Sequence, residues 1–188
     1  MRKTVYLSLG SNLGDRTKNL QAALERLRKL GDIAAVSSVY ETVPVGLLAQ
    51  PAFLNCALAL ETDLMPKQFL AQTRRIEEQL GRRRSSLVAG YRTASPESQP
   101  RKGPRRIDID ILLFGRTVMD TPSLTIPHPA MHERRFVLEP LAEIAPEARH
   151  PVFNITVRHM RDHVLHQKQV VRKTGAEPLS QTTTPFGQ

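Results

Sequence analysis

Asp108 and Asp110 stand two residues apart in the run Arg105-Arg106-Ile107-Asp108-Ile109-Asp110-Ile111. Ile107, Ile109 and Ile111 alternate with them, and β-branched residues at alternate positions predict a strand with the isoleucines on one face and the carboxylates on the other. Carboxylates at i and i+2 on one face have Cα atoms about 6.5 to 7 Å apart, so they repel unless a cation lies between them. Magnesium suits that place, because it takes oxygen ligands, keeps several waters and binds through one or two carboxylates plus substrate phosphates. Arg105 and Arg106, just before the strand, have the planar forked donors that phosphates match. A solvated strand face with two arginines neutralising two aspartates accounts for the same residues, although aspartate is disfavoured in strands and two in one strand require a reason.

The rest of the chain must hold that strand in place. Its 188 residues and 40% apolar content predict one globular domain with a real core. The N-terminus runs straight into a strand pattern, and no apolar run is long enough to span a bilayer, so a soluble cytoplasmic protein with no membrane partner is expected. Cys56 is the only cysteine, which excludes an internal disulfide and a cysteine metal cluster and predicts a buried thiol. The net charge of +9 is unevenly spread: residues 82–106 hold eight basic residues and one acid, residues 158–188 five basic and two acidic. Charge concentrated in one loop and one tail predicts a local phosphate site and no nucleic-acid partner.

Thr4 to Leu9 alternates like a first strand and ends in the turn-forming Gly10-Ser11-Asn12-Leu13-Gly14-Asp15. Leu20, Ala23, Leu24, Leu27 and Leu30 recur at helical spacing, with Gly31 as the stop. Ile33–Val43 and Phe53–Thr62 read as the next two strands, and Pro66 opens a second helix that runs toward Gly81. Arg82–Arg105 has no sustained period and is expected to be a long functional loop, a lid. The aspartate strand follows, completing βαββαβ, the order of a ferredoxin-like α+β sandwich. Beyond it come a loop from Pro122 to His132, a short helix around Phe136–Glu143 and an amphipathic, helical segment Ile155–Leu165. The expected boundaries are a single domain over 1–170 and a disordered polar tail over 171–188.

Five separated runs resemble, in content and order, those of the 6-hydroxymethyl-7,8-dihydropterin pyrophosphokinases of folate biosynthesis. They are Gly10-Ser11-Asn12-Leu13, Tyr40-Glu41-Thr42, Gln50-Pro51-Ala52-Phe53-Leu54-Asn55, the segment Gly103 to Asp110, and Ile126-Pro127-His128-Pro129 leading to Arg134-Arg135-Phe136-Val137-Leu138. The resemblance implies transfer of pyrophosphate from ATP to the pterin hydroxymethyl group, with Asp108 and Asp110 holding two magnesium ions. It implies Arg82 and Arg105 as catalytic arginines, and Thr42, Val45, Phe53, Asn55 and Phe136 around the pterin. Glu77, Arg84, Ile111, Thr125, His128 and Arg134 are implied around ATP, and a monomer is expected. Many relatives carry Trp where this chain has Lys102, and the loop 82–105 is longer than usual, so closure is expected to rely on charge and on Tyr91. Two rivals stand beside this reading: an RNA-binding ferredoxin-like module, and another magnesium-dependent nucleotidyl or phosphoryl transferase. Without the resemblance, Phe53 and Phe136 read as core, Asn55 as a turn or strand-edge residue, His128 as an exposed loop histidine and Glu77 as a surface ion-pair partner.

Overall fold

The computed structural model describes residues 2–42, 51–81, 105–166, 171–175 and 179. The expected lid, with Arg82, Arg84, Tyr91 and Lys102, lies outside the described residues, as does Val45.

Strand β1 (Lys3–Ser11) leads into helix α1 (Arg16–Leu27), strands β2 (Asp32–Val36), β3 (Tyr40–Thr42) and β4 (Phe53–Thr62), helix α2 (Pro66–Gln79) and strand β5 (Asp108–Phe114). A hairpin of β6 (Met119–Thr121) and β7 (Leu124–Ile126) follows, then helices α3 (Arg135–Ile144) and α4 (Val157–Val164) and strand β8 (Val171–Lys173). The main sheet runs β5-β1-β4-β3-β8, with β2 also pairing β4, and its pairings are antiparallel. This is the ferredoxin-like α+β arrangement, with β1 and β4 central and the aspartate strand at one end.

Helices α1, α2 and α4 each have a local reason for their start. The Asp15 carboxylate accepts the Lys18 N–H at 3.0 Å and caps α1. Gln68 folds back to accept the Met65 N–H at 2.9 Å, with Pro66 in the first turn of α2. Thr156 accepts the His159 N–H at 3.2 Å and caps α4. Gly31 ends the first helical segment where a Cβ would run into the Glu61 carbonyl, so only glycine allows the chain to pass β4 so closely.

The sheet buries both faces. On one, Leu7, Leu9, Leu58, Leu60, Ile109 and Ile111 pack against Leu20, Leu24 and Leu27 of α1 and Phe69 and Ile76 of α2. Phe69 meets Phe114 edge to face, with ring centroids 6.0 Å apart, and both side chains are fully buried. Truncating either would cost about 3 to 5 kcal/mol. On the other face Ala57, Leu112 and Leu113 lie under Val137, Leu138 and Leu141 of α3 and Val157, Met160 and Val164 of α4. Cys56 is buried, and burial pushes its thiol up to about 12, which removes it as a nucleophile.

Three expectations are corrected. The single strand expected over Ile33–Val43 is two, because Ser37 interrupts the ladder: its hydroxyl, instead of a backbone carbonyl, accepts the Ala57 N–H at 2.8 Å. The loop expected from Pro122 to His132 contains β7, which pairs with β6. Val171–Lys173, placed in the disordered tail, is a strand paired with β3, and Leu179 is 5% exposed within the main core. The rest of that tail beyond Gly175 lies outside the described residues.

Candidate active site

Residues directly opposed in an antiparallel ladder point to the same side of the sheet. Asp108 opposes Gly10, Gly10 opposes Asn55, and Asn55 opposes Tyr40, so one row crosses β5, β1, β4 and β3. Asp110 opposes Ser8 in the adjacent row on this face, and Thr42 opposes Phe53 in the row flanking the first on its other side. Asp108 and Asp110 are half-buried while Ile109 and Ile111 between and beyond them are buried, the alternation expected of the strand. Gly10 makes the row usable. A Cβ there would lie 3.1 Å from Asn55 Oδ1 and 3.8 Å from the Phe53 ring, so the glycine leaves a floor without a side chain between carboxylate and amide.

The ends of this row are held by side chains from other elements. Arg105 donates to Asp108 Oδ1 at 2.6 Å, with both side chains 18% exposed. The Arg105 backbone is clasped by Asn12, whose Oδ1 accepts the Arg105 N–H at 2.7 Å and whose own N–H donates to the Arg105 carbonyl at 3.0 Å. In the sequence Asn12 is a turn residue within a run that resembles the family's. Its place in the Gly-Ser-Asn-Leu motif was the available signal, and its partner 93 residues away was not. Glu77 is not a surface ion-pair residue: it is 4% exposed, and its Oε1 accepts the Ile109 N–H at 2.9 Å. Asn55 is also buried rather than at a turn, and its Nδ2 donates to Thr42 Oγ1 at 2.8 Å. Arg16, which sequence reasoning passed over, donates to Glu41 Oε1 at 3.0 Å and to the Ala52 carbonyl at 2.7 Å, joining the chain just before Thr42 to the chain just before Phe53.

A cleft of about 280 Å³ opens beside β5, lined by Leu70, Ile109, Asp110, Ile111, Leu124, Thr125, His128 and neighbouring hairpin residues. Asp110, Ile111, Thr125 and His128 thus meet at one cavity. His128 is set by its N–H, which donates to the Leu112 carbonyl at 2.9 Å, and its Nδ1 accepts the Ala130 N–H at 3.2 Å. Thr125 donates to Asp120 at 3.0 Å across the hairpin, and Arg74 of α2 reaches the Ser123 carbonyl at 3.1 Å, tying hairpin to helix over the cleft. Arg134 and Phe136 meet at the start of α3, the guanidinium 5.8 Å from the ring centroid. Arg82, Arg84 and Val45 lie outside the described residues.

The donor set fits magnesium. No group of three or more histidines, cysteines or acids that could hold a metal occurs among the described residues. Two carboxylates on one side of a strand beside a cleft are what magnesium uses when substrate phosphates and water complete its shell.

An α+β ferredoxin-like sandwich with paired aspartates, an arginine beside them and a cleft on the same strand has the parts that cation-assisted group transfer on phosphates uses. The family model described as 7,8-dihydro-6-hydroxymethylpterin-pyrophosphokinase (HPPK) matches residues 6–146, and the chain belongs to that family. It is 44% identical over 146 residues to the 2-amino-4-hydroxy-6-hydroxymethyldihydropteridine pyrophosphokinase of Bacillus subtilis, covering 77% of this chain and 79% of that one. The Aquifex aeolicus enzyme of the same name is 36% identical over 158 residues, 84% of this chain and 90% of its own. Folic acid synthesis protein FOL1 of Dictyostelium discoideum is 41% identical over 157 residues, but this chain spans only 22% of its length. Among solved structures, wild-type Plasmodium falciparum HPPK-DHPS superposes with a TM-score of 0.66 at 19% identity, over 87% of this chain and 42% of that one, a likeness of fold.

Proposed function

We propose that this chain transfers the terminal pyrophosphoryl group of ATP to the hydroxymethyl oxygen of 6-hydroxymethyl-7,8-dihydropterin, giving the pterin diphosphate and AMP. The observation that supports the reading is the row Asp108-Gly10-Asn55, in which a carboxylate suited to the phosphates and an amide suited to the pterin edge share one face with a glycine floor between them. The apolar cleft walls Leu70, Ile111 and Leu124 suit a purine, and Asp110, Thr125 and His128 give it a polar end toward the triphosphate. On the other side Phe53 and Phe136 would flank a flat ring, and Asn55, oriented by Thr42, would meet its amide-like edge.

In this reaction the pterin oxygen bonds to the β-phosphorus, the bond from that phosphorus to the α,β-bridging oxygen breaks, and that oxygen leaves with AMP while the hydroxyl proton passes to solvent water. Asp108 and Asp110 would hold magnesium, two ions on the family pattern, which when bound neutralises the triphosphate and favours an ionised hydroxyl. The protein's own part is positioning. Asn12 fixes the backbone of Arg105, Arg105 is held beside Asp108 within reach of a phosphate, and Glu77 fixes one of the two peptide groups that link the aspartates. Arg82 and Arg84 would add charge to the same phosphates.

The reading carries with it one catalytic domain acting as a cytoplasmic monomer on two small molecules. An RNA-recognition module needs aromatic side chains on an open sheet face, whereas α3 and α4 pack on this one. Incubating the full chain with ATP, magnesium and the pterin, and resolving nucleotides by chromatography, tests the reaction. Stoichiometric AMP and pterin diphosphate are expected. ADP in place of AMP would show simple phosphoryl transfer and overturn the proposal.

A further inference from the structure

Strand β8 lies beyond the part of the chain that the family model matches, which ends at residue 146. It nevertheless pairs with β3, Val171 opposing Thr42, Arg172 opposing Glu41 and Lys173 opposing Tyr40. β3 has only three residues, and its other neighbour is β4, where Tyr40 opposes Asn55. So short a strand at an open edge would be weakly held, and β8 closes that edge.

Glu143, near the end of α3, adds a second fastening. Its carboxylate accepts the Ser38 N–H at 3.2 Å, the Ser38 hydroxyl at 2.8 Å, the Tyr40 hydroxyl at 2.9 Å and the Lys173 ammonium at 3.2 Å. One carboxylate therefore collects donors from the chain entering β3, from β3 itself and from β8. Thr174 completes the seam, its N–H at 2.9 Å and its hydroxyl at 3.0 Å both donating to the Val39 carbonyl. The route to ligand is short: β3 carries Thr42, and Thr42 Oγ1 accepts a hydrogen bond from Asn55 Nδ2.

Resting on the pterin reading above, we propose that Glu143 and strand Val171–Lys173 are a positioning device for the pterin half of the site: they hold β3 so that Thr42 keeps the Asn55 amide in the orientation that recognises the ring edge. Neither touches substrate. The nucleotide side is built from β5, α2 and the β6–β7 hairpin, none of which this seam fastens, so loosening it acts on one ligand and not on the other.

The test uses full-length wild type, Glu143→Ala and Lys173→Met, with pterin binding measured in magnesium and an unreactive ATP analogue, and analogue binding measured alone. Glu143→Ala should raise the pterin Kd about tenfold, the scale of losing charge-assisted hydrogen bonds, and Lys173→Met about threefold. The analogue Kd and kcat at saturating pterin should stay within about twofold in both. Wild-type-like pterin binding in both variants, or equal losses for both ligands, would overturn the proposal, the latter by showing general loosening. Should Glu143→Ala fail to fold, the exposed Lys173 decides alone, and an unchanged pterin Kd in Lys173→Met rejects the device. A wild type that binds the analogue but no pterin would instead overturn the reaction proposed above.

Discussion

Glu77 Oε1 accepts the backbone N–H of Ile109 at 2.9 Å, from a side chain that is 4% exposed. A buried carboxylate from α2 thus grips one of the two peptide groups that link the aspartates, the one joining Asp108 to Ile109. The bond ties α2 to β5, so a residue that resembles a nucleotide ligand by position also braces the strand that carries Asp108 and Asp110.

Glu77→Ala should therefore cost stability as well as activity. It leaves the Ile109 N–H without this acceptor in a buried place, a loss of about 1 to 3 kcal/mol. Glu77→Gln keeps an oxygen able to accept that bond and should lose less. Urea unfolding midpoints of the two variants check the ranking, and an alanine variant as stable as wild type would reject the brace.

Asp108→Asn and Asp110→Asn should each lower the rate of AMP formation roughly a hundredfold or more while far-UV circular dichroism is unchanged, because each removes charge and not core volume. Asp108→Asn also removes the charge facing Arg105, so its defect should be the less repaired by raising magnesium. Rates across a magnesium titration give the measurement, and wild-type rates at limiting magnesium in either variant would exclude the assignment.

Asn55→Ala should weaken pterin binding far more than ATP binding, by about 1 to 3 kcal/mol for an unpaired polar edge. Gly10→Ala should act in the same direction by a different route, since its methyl group would stand 3.1 Å from Asn55 Oδ1 and occupy the floor. Calorimetric titration with each ligand separates the two effects, and equal losses for both ligands would place the damage in the fold instead of the pterin site.

Stability should fall in two stages on acidification. Burial above all lowers His150 from its ordinary value near 6.5, and its Nδ1 accepts the Val152 and Phe153 N–H groups at 3.4 and 3.2 Å. A folded value below the unfolded one means that this contribution is complete above about pH 6.5 and is lost as pH falls from there through the folded value. For Glu143, burial favours the neutral acid but is outweighed by hydrogen bonds from Ser38, Tyr40 and Lys173, so its carboxyl lies below the ordinary 4.5. Its contribution persists to lower pH and disappears only as pH falls through that depressed value. Thermal midpoints from pH 8 to 3 should show the first stage diminished in His150→Asn and the second in Glu143→Gln. The same acid dependence in wild type and both variants would contradict the assignment.

Alternation and helical spacing are local properties, and they were enough to place β1, β4, α1, α2 and the aspartate strand. Phe53–Thr62 has the same limits in the structure as in its pattern, because ten residues of a central strand are bounded by their own turn signals. The orientation of Asp108 and Asp110 against Ile109 and Ile111 follows from the two-residue period alone. What local pattern could not supply is partnership. The break between β2 and β3 depends on Ser37 meeting Ala57, the β6 and β7 strands are three residues each, and β8 is a strand only because β3, some 130 residues earlier, offers it an edge. The same holds in the site. Asp108, Asn55 and Phe53 were visible as residue types, but the row through Gly10, the clasp of Asn12 on Arg105, the Glu77 brace and the Glu143 seam are long-range contacts. They exist because the fold brings together polar groups far apart in sequence, and those it buries must be satisfied there.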